Sequence, residues 1–364
     1  MTLFGESAGG VAVAGLLHNQ EASPLFERAI MSSGATFAQS VWMPRQWGKQ
    51  AAQNFARIMN CSFADLVECL QTRSTDEVLH ESIEDGFFSS HTNTHRIFEG
   101  LSDENTYFFN FAPVYGTRDI PLDPYRALSL GSNKPILIGN TLDEGSVFLS
   151  QFDRTFDYSK DISQREAILR VQRLVKQINL KKYAVHPGDF SDFYIKRLKF
   201  TDSNSLKRAV AKIFGDHYLA CNVLLYAQRY SLFNNQTYVY LFNHLSKMNQ
   251  NLTKGWGDVS HEYDLSFVLG MPLHPERLGE WDDYDRELSR VMMKTWAHFA
   301  RHGFPPGHWF PFQKTLSGKV LPFIYELGYD PIVSAESNVG NTVQWEACQG
   351  LWWEHIKDRY LNHV

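Results

Sequence analysis

The sequence predicts an α/β fold built on a doubly wound, mostly parallel sheet with helices on both faces. Three observations lead there. Short apolar and β-branched runs alternate with stretches whose apolar residues recur at helical spacing. One run, 135–139 (PILIG), is apolar at almost every position, as a strand covered on both faces must be. Near the start, Gly5-Glu6-Ser7-Ala8-Gly9-Gly10 sets a serine among small residues at a strand-to-helix junction.

The elements follow in chain order. Residues 1–4 (MTLF) read as the end of a strand, and 8–18 as the helix leaving the turn. Residues 28–32 (RAIMS) form a second strand that ends at Ser33-Gly34, and 47–59 carry helical apolar spacing. After the strand 135–139, the segment 163–178 is amphipathic, with Ile168, Leu169, Val171, Leu174, Val175 and Ile178 near helical spacing. Residues 237–242 (TYVYLF) are aromatic and β-branched, hence a strand. The strongest helix is 284–302. It begins after Asp282-Asp283, turns Leu288, Met292, Trp296 and Phe299 inward, and stops at Gly303 with Pro305 beyond. Residues 320–325 (VLPFIY) read as a strand that Pro322 confines to a sheet edge, and 346–360 as a final helix.

Composition narrows the function. The 364 residues are 43% hydrophobic and 21% charged, ordinary for a globular chain. The net charge of −5 and the lack of any basic cluster argue against a nucleic-acid surface. No apolar run approaches the roughly 18 residues of a membrane-crossing helix, and Met1 does not open a signal peptide. Other features suit an extracellular protein. Asn60, Asn235 and Asn251 each begin a glycosylation sequon, and the four cysteines permit three disulfide pairings.

Gly-x-Ser-x-Gly is the pattern of a nucleophile elbow, in which a strained turn exposes a serine hydroxyl above a sheet. That hydroxyl is a poor nucleophile until a base takes its proton, and the base needs a third group to hold it. In such sheets the partners follow the serine in the order carboxylate, then histidine, in loops beyond the carboxyl ends of strands. Glu144 qualifies as the acid, in the turn after 135–139. Asp143 beside it competes, and spacing does not separate the two. His261, in the loop after 237–242, qualifies as the base among 14 histidines.

Four stretches carry a resemblance to a known family. They are 2–10 (TLFGESAGG), 28–34 (RAIMSSG), 143–148 (DEGSVF) and 261–270 (HEYDLSFVLG). In this order they resemble a type-B carboxylesterase of the cholinesterase-like group, with similarity from Thr2 to about Leu361. The resemblance implies an α/β-hydrolase fold entered at the elbow, with 1–364 as one N-terminally incomplete domain. It places the acid on Glu144, the base on His261 and a supporting serine on Ser33. It pairs Cys61 with Cys69 and Cys221 with Cys348. The implied chemistry is hydrolysis of small-acyl esters such as choline esters through an acyl-enzyme, with no cofactor and no metal. The implied partner is a small ester, and the family leaves room for a homodimer, secreted or at the cell surface.

The family also bears on specificity. Tyr107 and Phe109 fall where its acyl pocket lies, and Phe148 and Trp256 match aromatic positions of its gorge, where rings attract quaternary ammonium groups. Val147 departs from acetylcholinesterases, which usually carry an aromatic there. The second oxyanion donor of the family comes from a glycine-rich loop upstream of the elbow, and only six residues precede Ser7, leaving the Ala8 N–H. The chain alone is therefore expected to be poorly soluble and nearly inactive. Alternative readings are a general carboxylesterase, a catalytically impaired relative, and a cholinesterase-like adhesion protein. The intact Ser7, Glu144 and His261 argue against the last.

Overall fold

The computed structural model describes residues 1–37, 42–83, 112–129, 132–149, 156–157, 159–177, 186–252, 255–328, 338–339 and 343–353. Contacts divide the chain into two compact units, Met1–Ala38 with Ala127–Val364, and Gln39–Arg126. The second is thus inserted in sequence between two strands of the first.

The larger unit is built on a six-stranded sheet whose spatial order follows the chain. Its strands are β1 (Thr2–Glu6), β2 (Arg28–Ser32), β3 (Ile136–Thr141), β4 (Thr237–Phe242), β5 (Phe323–Leu327) and β6 (Asn338–Val339). The first five run parallel and β6 is antiparallel to β5. The register aligns Leu3 with Ala29, Ile30 with Leu137, Ile138 with Val239, and Val239 with Ile324. β3 and β4 are buried at every position, which explains their unbroken apolar runs.

Seven helices matter here: α1 (Ala8–Leu17), α2 (Arg45–Ile58), α3 (Gln164–Gln177), α4 (Ser203–Gly215), α5 (Cys221–Tyr230), α6 (Tyr263–Val268) and α7 (Asp283–His302). On one face of the sheet, Tyr238, Tyr240 and Phe242 of β4 pack with Leu288, Met292, Trp296 and Phe299 of α7. The alternate residues Val239 and Leu241 point to the other face, and α5 packs against β3 and β4. α7 has the start and stop that its sequence predicts. Asp282 caps it in a reciprocal box with Asp285, Arg301 and His302 occupy the last turn, and Gly303 closes it at φ 83°.

α4 and α5 are two halves of one long helix joined by a π-helical turn, Asp216–Ala220. Cys221 in this helix bonds to Cys348, closing a loop across 127 residues of sequence.

One expectation fails. The strand predicted at 320–325 is not an edge strand. Pro322 lies between Val320–Leu321, which pairs antiparallel with Gln313–Lys314, and β5, which lies inside the main sheet between β4 and β6. A residue without an N–H is tolerated there because it interrupts the ladder between two sheets rather than sitting inside one. The last helix begins at Val343 and continues as a π-helical turn to Trp352.

The smaller unit centres on α2, which starts after Pro44 and spans nearly the predicted segment. Ala51, Phe55 and Met59 form its core with Ile58, Cys61, Leu70 and Val78. The short loop to helix Leu66–Gln71 is stapled by Cys61–Cys69.

Candidate functional site

The site gathers at the carboxyl ends of β1 to β4, where loops from a parallel sheet converge. β1 ends at Glu6, and the chain reverses sharply at Ser7, held at φ 54° and ψ −120°. Positive φ is costly for a residue with a side chain. The turn is pinned by the Ser7 N–H donating to the Ser32 carbonyl at 2.8 Å and the Val11 N–H donating to the Ser7 carbonyl at 3.0 Å. It closes only because Gly5 lacks a side chain: a Cβ there would stand 2.2 Å from the Gly9 carbonyl oxygen. Ala8, exposed at the first position of α1, has an N–H with no partner inside the helix.

The acid arrives on the turn after β3. Gly145 lets this turn press onto α4, because a Cβ at Gly145 would meet the Ala211 carbonyl oxygen at 1.8 Å. Glu144 is thereby buried, only 1% exposed. Its Oε1 accepts from the Thr141 N–H at 2.7 Å and from the Ser33 hydroxyl at 2.6 Å. Its Oε2 accepts from His261 Nδ1 at 2.5 Å. With that proton on Nδ1, Nε2 is left to accept from the Ser7 hydroxyl at 2.9 Å. Ser7, His261, Glu144 and Ser33, separated by up to 254 residues, thus form one continuous hydrogen-bonded line.

Asp143 and Glu144 now separate. Asp143 turns away from the imidazole and clamps the histidine loop. Its N–H donates to the Val259 carbonyl at 2.9 Å, and its Oδ2 accepts from the Asp258 N–H at 3.3 Å. Burial, with the neighbouring Asp258, pushes its carboxyl up to about 6.

Glu6 was not singled out by its sequence, though it directly precedes the serine. Its Oε1 lies 3.3 Å from His261 Nε2 and accepts no hydrogen bond among the described residues. Burial first, then the Glu144, Asp264 and Glu262 charges, push Glu6 up to about 8 against the pull of His261. For His261, burial favours the neutral ring, but the charge and hydrogen bond of Glu144, with Glu6 and Glu262, outweigh it and lift the imidazole to about 9. The value near 6.5 expected from an unperturbed histidine does not hold at this carboxylate-rich site.

A second buried network braces the histidine loop. Asp264, three residues after His261, accepts from the Tyr240 hydroxyl at 2.8 Å and from Ser32, and Ser32 meets Tyr240 at 2.6 Å. Burial raises the Asp264 carboxyl above its ordinary range. The i, i+3 spacing of His261 and Asp264 is the only sequence sign of this brace.

Phe148 lies beside the site, its ring 5.1 Å from that of His261, and Val147 is exposed. Trp256 is instead buried against Phe156, with ring centroids 5.8 Å apart. Tyr107 and Phe109 lie outside the described residues. Asn60 and Asn235 are exposed, while the side chain of Asn251 lies outside the described set. Both cysteine pairs form as the resemblance implied. No described helix is long and apolar enough to cross a membrane.

Comparison with known proteins bears on the family. The profile of the Carboxylesterase family matches residues 1–330. Among curated relatives, the acetylcholinesterase of Bungarus fasciatus is 29% identical over 316 residues, 84% of this chain and 48% of the relative. The cholinesterase of Mus musculus is 27% identical over 318 residues, again 84% and 48%. The chain thus spans about half the length of the curated relatives it matches.

Proposed function

The chain belongs to the carboxylesterase family, and on that premise we propose that it is a cholinesterase-like serine hydrolase of carboxylic esters with Ser7, His261 and Glu144 as its triad. The observation that carries the reading is the line of hydrogen bonds from Ser7 Oγ through both ring nitrogens of His261 to Glu144.

In the proposed reaction, Ser7 Oγ attacks the ester carbonyl as its proton passes to His261 Nε2. Glu144 keeps the Nδ1–H tautomer in place and stabilises the imidazolium. The Ala8 N–H, aimed out of the start of α1, donates to the oxyanion. His261 then protonates the leaving alcohol, and water repeats the sequence on the acyl-enzyme. Ser33 acts as a positioning residue by fixing the Glu144 carboxylate.

For the substrate we propose small-acyl esters, choline esters among them. The names of the two relatives and the aromatic ring of Phe148 beside His261 support this. The disulfides support an extracellular or cell-surface protein. Hydrolysis of p-nitrophenyl acetate, compared between wild type and Ser7→Ala in a protein that also carries the family's upstream glycine-rich loop, tests the chemistry. Turnover should fall to background in the variant, and intact turnover would sink the assignment. Equal rates on acetylthiocholine and a neutral acetyl thioester of the same size would replace the choline reading with a general carboxylesterase.

A further inference from the structure

We propose that Glu6, His261 and Glu262 form an inhibitory Zn²⁺ site that seizes the nitrogen needed to activate Ser7. One ligand atom from each of the three lies within 4.8 Å of the other two. The pair Glu6 Oε1 and His261 Nε2 is 3.3 Å apart. Two ligands on tetrahedral zinc, bound at about 2.0–2.1 Å, are separated by about 3.3–3.4 Å. These two atoms therefore already stand at the edge length of a zinc tetrahedron.

The surroundings fit a metal ligand set. Glu6 Oε1 is buried and accepts no hydrogen bond among the described residues, a costly state for a carboxylate oxygen that a cation would relieve. The Nδ1–H of His261 donates to Glu144 Oε2 at 2.5 Å. This carboxylate–histidine arrangement orients and enriches an imidazole as a zinc ligand. Glu262 is exposed and held at φ 70°, and it supplies both the third oxygen and an approach from solvent. Mixed imidazole and carboxylate donors suit Zn²⁺ better than the oxygen-seeking Mg²⁺ or Ca²⁺.

The consequence follows from one lone pair. Nε2 accepts the Ser7 proton through the same electrons that would bind zinc. A bound ion therefore leaves Ser7 without a base, and zinc and acylation exclude each other. The site itself rests on geometry, whereas its inhibitory effect rests on the esterase reading above.

The test uses the whole chain at about pH 8, where the ligands lose their protons more readily, Zn²⁺ as the only probe, and a chromogenic chelator as competitor. A second arm follows the rate at which a fluorophosphonate labels Ser7. Wild type should bind one equivalent of zinc. Glu262→Gln, at an exposed position, should bind it at least about tenfold more weakly, with the effect of zinc on labelling read against this variant's own metal-free rate. His261→Ala should lose the site. Saturating zinc should slow Ser7 labelling at least about tenfold in wild type. Absence of saturable binding, or binding unchanged in both variants, would overturn the site. Tight binding with undiminished labelling would overturn the inhibition. If Ser7 does not label even without metal, the esterase reading fails, and the zinc titration still decides the site.

Discussion

Ser33→Ala separates positioning from chemistry in the proposed triad. The Ser33 hydroxyl reaches Glu144 Oε1 at 2.6 Å and touches neither Ser7 nor His261 in the hydrogen-bonded line. A hydrogen bond to a charged group is worth about 1.5–3 kcal/mol. At about 1.4 kcal/mol per factor of ten, its full loss from the transition state lowers kcat by about 10- to 150-fold. The lower part of that range is expected, because the Thr141 N–H still holds the same oxygen at 2.7 Å. Substrate contacts are unchanged, so KM should stay within about twofold. Steady-state kinetics on p-nitrophenyl acetate, normalised to titrated active sites, gives both constants, and thermal melting gives the stability change separately. A melting point lowered with kcat unchanged would refute the positioning role and leave Ser33 merely structural.

Other outcomes follow from the same geometry. Because carboxylates lift His261 to about 9, the acid limb of kcat/KM should lie well above pH 6.5, and Glu6→Gln should move it to lower pH by removing a neighbouring negative charge. Glu6 and His261 both titrate higher when folded than their ordinary values near 4.5 and 6.5. Stability should therefore be lost as pH rises, through about 8 for Glu6 and about 9 for His261, and Glu6→Gln should flatten the lower part in denaturant titrations. Gly145→Ala drives a Cβ to 1.8 Å from the Ala211 carbonyl oxygen, so it should destabilise by more than about 3 kcal/mol or abolish soluble expression. Removing Cys221–Cys348 by double serine substitution should cost up to about 5 kcal/mol by loop-closure entropy, against about half that for Cys61–Cys69, read from chemical denaturation of the oxidised chains.

What the sequence discloses tracks the range of the forces involved. The elbow is local: Gly5, Ser7 and Gly9 sit within five positions, and their sizes are set by contacts inside one turn. β3 and β4 are legible because burial on both faces leaves an apolar run, and α7 because one side faces the core and its ends carry capping residues. The α5 half of the long helix escapes the same reading. Cys221 through Ala227 are buried on all sides, so no polar face marks the helical period. Asp143 and Glu144 are equivalent by spacing, and the resemblance alone preferred Glu144. The structure separates them through contacts 111 and 115 residues away, Ser33 for one and Asp258 for the other. Pro322 misleads for a similar reason: the residue is incompatible with a strand interior, but nothing local shows that it divides two sheets.

The central claim is that Ser7 is an activated nucleophile, and covalent labelling tests it without reference to any substrate. Intact-mass and peptide analysis after fluorophosphonate treatment should find one adduct, on Ser7. The adduct should be absent in Ser7→Ala and at least about 100-fold slower to form in His261→Ala. A folded chain that takes no label at Ser7, or labels equally fast without His261, would contradict the account.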